Sequence, residues 1–197
     1  MYYRVRALLI HLAASAALAL LAVVLVFFVW YPSPLQKAVG VTQVFFIVLA
    51  VDVVIGPMLT FVVFKPGKKS LHFDLATIVF LQLVAFGYGL WTVAEGRPAW
   101  LVFNADRFDL VQVYQIDSRN LEQAKAEFRN PSWIGPQWVA ARRPDSAEER
   151  KAILFEALST GVDVAQRPIL YRPLSDEADT MRRGAHSLNE LERYNPT

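Results

Sequence analysis

Three observations predict a membrane α-helical fold, with three transmembrane helices followed by a small α+β soluble domain. First, residues 1–94 carry only six Lys or Arg (Arg4, Arg6, Lys37, Lys65, Lys68, Lys69) and two acids (Asp52, Asp74), while fourteen basic and sixteen acidic side chains fall in 95–197. Second, the first half is filled by three long apolar runs. Third, the second half mixes short β-rich segments with turn residues and a capped helical segment. The expected domains are a three-helix membrane domain over 1–94 and an α+β domain over 95–197.

The runs are Leu8–Trp30, Val41–Phe64 and Leu75–Val93, of 23, 24 and 19 residues. At about 1.5 Å rise per residue, each crosses a hydrocarbon layer of ~30 Å. Arg4 and Arg6 ahead of an Ala-rich run also fit a signal peptide. That run is too long, however, and ends in Phe27-Phe28-Val29-Trp30 where cleavage needs small residues, so it reads as an uncleaved helix.

Orientation follows from the positive-inside bias. Arg4 and Arg6 precede the first run; Lys65, Lys68 and Lys69 crowd the loop between the second and third; the other loop holds Lys37 alone. Both clusters share one face if the amino terminus is cytoplasmic and the chain crosses three times. Residues 95–197 are then periplasmic in a bacterial inner membrane. Trp30, Tyr31, Trp91 and Trp100 read as aromatic anchors at the outer interface, Tyr2 and Tyr3 at the inner one.

The formal charge of +2 arises in the membrane half, so no basic stripe marks the soluble half for nucleic acid. Cysteine is absent, which removes disulfides and thiolate chemistry. His11, His72 and His186 lie in different segments and at both membrane faces, so no shared metal is expected. No nucleophile elbow and no isolated carboxylate pair stands out; neither catalysis nor a cofactor is expected.

In the soluble half, Ala99–Phe103 and Phe108–Tyr114 read as a hairpin around Asn104-Ala105-Asp106-Arg107. Asp117 or Ser118 is expected to cap a helix reaching about Phe128, stopped by Asn130-Pro131. Gln137–Ala141 reads as a strand behind Gly135-Pro136. Ser146-Ala-Glu-Glu149 has capping-box spacing ahead of the stripe Ile153, Leu154, Ala157 and Leu158, with Gly161 as C-cap. Ile169–Leu174 reads as a strand broken by Pro168 and Pro173, and the tail from Ser175 to Tyr194 as helical in pieces.

Asp52 lies mid-way along the second span, where a bare carboxylate costs at least ~2.5 kcal/mol. Counting from the inner ends puts Tyr88 at the same depth, and a Tyr88 hydroxyl to Asp52 carboxyl hydrogen bond is expected. Three roles fit Asp52: a polar clasp between helices, a docking point for a client helix, or a proton relay. Pro57 lacks an N–H and frees the carbonyl of Val53, within reach of the Gln82 amide at matching depth, a depth that Ser15 shares on the first span. Gly56-Pro57 reads either as a groove for another helix or as a kink fitted to the bundle. Ala13, Ala14, Ala16 and Ala17 would also suit close helix packing.

Lys65-Pro-Gly-Lys-Lys69 lacks a P-loop frame and reads as a topology and anionic-lipid signal, or as a contact for cytoplasmic machinery. Asp106-Arg107 at the hairpin tip reads as an exposed charged turn or as a contact for a partner's head.

Four segments taken together resemble a known family: Tyr31-Pro-Ser-Pro-Leu35, Val51-Asp-Val-Val-Ile-Gly-Pro-Met-Leu-Thr60, Lys65-Pro-Gly-Lys-Lys-Ser-Leu-His-Phe-Asp74 and Arg97-Pro-Ala-Trp-Leu-Val-Phe-Asn-Ala-Asp-Arg-Phe108. They are similar to the TfpX/TfpZ, or FimB-like, type IV pilin accessory proteins across residues 30 to 110, with a loose match beyond. The resemblance implies an inner-membrane chaperone for a major pilin and carries over no catalytic residues. Three spans with a periplasmic domain can contact both the transmembrane helix and the periplasmic head of such a pilin. It also implies relatives that run further at the C-terminus. Two other classes fit the residues alone: a membrane enzyme or ion-coupled subunit centred on Asp52, and a periplasmic ligand-sensing scaffold.

Overall fold

The computed structural model describes residues 1–190. Three helices are long and apolar enough to cross a membrane. α1 (Tyr2–Val24) continues as a π-helical segment, Leu25–Trp30. After the short α2 (Leu35–Val39) come α3 (Val41–Val63) and α4 (Leu71–Glu95). The second half forms β1 (Pro98–Asn104), β2 (Arg107–Gln112), β3 (Gln137–Ala141), α5 (Ala147–Thr160), β4 (Tyr171–Pro173) and α6 (Ala178–Gly184). The chain divides into two compact units: 1–98 with 133–135, and 99–132 with 136–197.

In the membrane unit, α3 packs against both α1 and α4. Its buried residues Val41, Phe45, Leu49, Asp52, Gly56 and Thr60 recur every three or four positions and so share one face. At one end this face joins Ala22, Val26, Trp30, Phe86 and Val93 in a dry core. There Tyr31 donates to the Val93 carbonyl (2.6 Å). Most outward residues of these helices are large and apolar, as lipid-facing surfaces require.

The soluble unit is a four-stranded sheet in the order β2-β1-β3-β4, with β1 parallel to β3 and β3 antiparallel to β4. β1 is interior, which explains why Pro98 to Phe103 are all buried instead of alternating. Trp100 is therefore not an interface anchor. Its ring packs edge-on against Tyr171 (centroids 5.4 Å) and Phe128 (6.2 Å), and it is 1% exposed. The Tyr171 hydroxyl donates to the Ala165 carbonyl at 2.5 Å, and burial pushes its pKa up.

The expected helix from Asp117 to Phe128 does not form. Two 3-10 turns, Leu121–Gln123 and Ala126–Phe128, take its place. The Asp117 carboxylate accepts from the Arg119 side chain (2.8 Å, twice) and backbone N–H (3.1 Å), and Asn120 adopts a left-handed φ of 55°. A side chain engaged this way favours a turn over a helix start. The β4 ladder is shorter than expected because Pro168–Leu170 coils into a 3-10 turn. The tail is helical in pieces through Glu190; Leu191–Tyr194 fall outside the described residues.

α5 begins at the expected cap, with the Ser146 hydroxyl accepting from the Glu149 N–H (3.0 Å). The Glu149 carboxylate instead accepts from the Asp145 N–H (2.7 Å), so the reciprocal half of the capping box does not form; the helix ends at Gly161 with φ 74°. Its stripe is not a core face: Ile153 and Ala157 are half-buried, while Leu154 and Leu158 are exposed. With so little packing, its cap matters. Ser146→Ala should remove about 1 kcal/mol. Hydrogen exchange measured by mass spectrometry should then run roughly fivefold faster across Ala147–Thr160 and unchanged in α3.

Candidate functional site

Polar side chains inside the membrane unit converge on Gln82 of α4. Its amide N donates to the Asp52 backbone carbonyl (2.9 Å) and the Ser15 hydroxyl (3.1 Å), and its amide O accepts from His11 Nε2 (2.9 Å). His11 Nδ1 lies 2.6 Å from the Thr60 hydroxyl. Because the Asp52 carbonyl only accepts, the amide N must face it and the amide O must face His11. In the neutral imidazole the proton then sits on Nε2, and Nδ1 accepts from Thr60.

Gly56 makes this possible. A Cβ built there would fall within the Gln82 amide, so the amide lies in the notch left by the missing side chain. The notch also explains a departure from expectation. Gln82 meets the carbonyl of Asp52, not that of Val53, because the carbonyl four residues before Gly56 is on the notch's face and Val53's is rotated about 100° away. A second close approach occurs at Gly89, where a Cβ would come 2.7 Å from Val48 Cγ1.

The Asp52 side chain stands apart from this network. It is 6% exposed, and its Oδ2 accepts no hydrogen bond from any described residue. Tyr88 does not reach it: the ring is 74% exposed on the outer surface of α4. Depth counting gave its height but not its rotation, since six residues beyond Gln82 turn the helix by about 240°. Asp52 and Gln82 line two clefts. One, of about 140 Å³, has α1 residues His11, Ala14, Ser15 and Leu18 on one side and α4 residues Val79, Leu83 and Phe86 on the other. The second, of about 200 Å³, lies between α3 and α4 beside Gly56. Pro57 is buried within α3.

The remaining candidates lie elsewhere. Lys65 and Lys69 are exposed, and Lys68 pairs with Asp74 at 2.6 Å. Asp106 and Arg107 are exposed at the hairpin tip, where Arg107 pairs with Asp109 (2.8 Å). Asp106 borders an open cleft with Arg142, Arg143 and Arg150. There the Arg142 guanidinium (2.6 Å) and the Asp145 N–H hold the Glu149 carboxyl below its usual range.

Two fimbrial assembly proteins of Dichelobacter nodosus, from serogroups I and E1, are each 39% identical to this chain over 181 residues, covering 91% of it and 70% of their own length. The chain belongs to the FimB fimbrial assembly protein family. The family model described as fimbrial assembly protein FimB matches residues 1–40. A third D. nodosus relative, the fimbrial assembly protein of serogroups C1 and C2, is 39% identical over 117 residues, 58% of this chain and 89% of its own. No solved structure matches the chain. Similarity to these FimB-family relatives, over 91% of the chain, thus extends well past residues 30 to 110.

Sequence reasoning placed Gln82 and Ser15 at one depth but missed His11 and Thr60 as partners. A signal was present in the spacing: His11 and Ser15 are four apart, and Asp52, Gly56 and Thr60 recur every four. Small and polar positions repeating along an apolar span mark the face that meets other helices.

Proposed function

We propose that this chain is an inner-membrane accessory chaperone that binds a type IV pilin, stabilises it and promotes its assembly into the pilus, catalysing no bond change. Its amino terminus and the Lys65, Lys68 and Lys69 loop face the cytoplasm, and its soluble domain faces the periplasm. Membership of a family named for fimbrial assembly supports the process. A three-span protein with an external domain matches a client that waits as one apolar helix with a head outside.

The observation that carries the client-binding step is the buried, unpartnered Asp52 carboxyl beside the α1–α4 cleft. Helix–helix clasping is supplied by Gln82, through the Asp52 backbone and not its side chain. The acid is therefore left for a donor brought by another helix, where a polar contact in lipid is worth about 0.6–2 kcal/mol. Gly56 and Gln82 line the clefts and Pro57 is buried beside Gly56 in α3, Tyr88 faces lipid, and Asp106 and Arg107 offer a second contact to the pilin head.

Co-purification in mild detergent of the full chain with a co-expressed type IV pilin tests this reading. Pilin carried through an affinity step on the chain is expected. Full recovery of the chain with no pilin contradicts it.

A further inference from the structure

Trp133, Ile134 and Gly135 are remote in sequence from the apolar helices, yet they belong to the membrane unit. Trp133 packs on Trp30, the last residue of the first span, with centroids 6.1 Å apart. The Arg97 guanidinium, buried and donating to the Ala94 carbonyl (2.8 Å), lies 4.0 Å from the centroid of the Trp133 ring. Gly135, at φ +67°, sits where a Cβ would be 3.6 Å from the Val29 carbonyl. These contacts pin the loop to the final turn of the span, a turn that also carries Phe28, whose side chain is exposed on the lipid-facing surface.

Despite being pinned, the loop turns its apolar groups outward. Ile134 is 83% exposed and Trp133 56% exposed. An exposed Ile beside a half-exposed Trp at the end of a membrane span has the composition of an interfacial belt, where an indole lies at headgroup level and an aliphatic chain enters the acyl boundary. Pro131 and Pro136 flank the loop and restrict its backbone.

We propose that Trp133 and Ile134 form a lipid anchor, a loop from the second half of the chain that seats in the phospholipid interface at the Trp30 end of the bundle. The outer aromatic belt is then built from Trp91 and Trp133, with Trp133 in the role that the sequence assigns to Trp100, and to Trp30 and Tyr31, whose side chains are buried in the bundle. This inference is independent of the pilin reading.

The chain has no cysteine, so single spin labels can be placed without background. Ile134→Cys, Phe28→Cys and Glu148→Cys, each labelled and reconstituted in phosphatidylethanolamine–phosphatidylglycerol vesicles, are compared by power-saturation electron paramagnetic resonance. Phe28 is the lipid-facing reference and Glu148, exposed in the first turn of α5, the aqueous one. The label at 134 should be relaxed more by oxygen than by a water-soluble nickel chelate, as at 28 and opposite to 148. A label at 134 matching the one at 148, or shielded from both reagents by protein, overturns the proposal.

Discussion

Asp52→Leu is expected to leave the three-helix bundle at least as stable as the parent while lowering pilin retention roughly three- to thirtyfold. Stability should hold because no described residue donates to Asp52 Oδ2, and the backbone carbonyl that receives Gln82 survives any substitution. Removing an unpartnered mid-span acid also relieves a cost of at least ~2.5 kcal/mol. Retention should fall because the proposed contact to the client is gone, and a polar contact between helices in lipid is worth about 0.6–2 kcal/mol, a factor of roughly three to thirty. Asp52→Asn, which keeps the volume, should fold equally well and lie between parent and leucine variant in retention. Thermal midpoints in detergent and pilin recovered per unit of chain give the two readouts. Loss of the protein itself would assign Asp52 to a structural clasp, and unchanged retention would remove it from client binding.

Gly56→Ala is the second large effect, because the smallest possible side chain there meets the amide that joins all three spans. The new Cβ displaces Gln82, which forfeits bonds to Ser15, His11 and the Asp52 carbonyl together. Overpacking of this kind costs about 1–3 kcal/mol. Because the damage runs through one partner, Gly56→Ala in a Gln82→Ala background should be close to neutral. That is a strong coupling in a double-mutant cycle, read from unfolding midpoints in detergent. Additive losses would mean that the notch and the amide act separately.

How much of this was legible in the sequence depends on which coordinate a pattern encodes. Hydropathy and length gave the three spans, since lipid imposes a fixed thickness on uninterrupted helices. Turn and cap residues gave the β1–β2 hairpin, β3 and α5. Counting along the spans gave depth, so Gln82 and Ser15 were aligned correctly. It gave no azimuth, and Tyr88 was therefore set against Asp52 when its ring faces outward. The long-range parallel pairing of β1 with β3 has no local signature, which is why Trp100 read as an interface residue. Nothing local marks Trp133-Ile134, between Asn130-Pro131 and Gly135-Pro136, for the same reason: its partners Trp30 and Arg97 are distant in the chain.

Photo-crosslinking from the cleft tests most directly whether Asp52 and its surroundings hold a pilin helix. A photoreactive residue replaces Val79 or Leu83, which line the cleft, or Phe80, which is exposed on α4 away from both clefts. In membranes containing a co-expressed type IV pilin, adducts to the pilin's apolar helix are expected from positions 79 and 83, absent from 80, and lost when Asp52→Leu is added. Equal adducts from all three positions, or adducts indifferent to Asp52, would contradict the account.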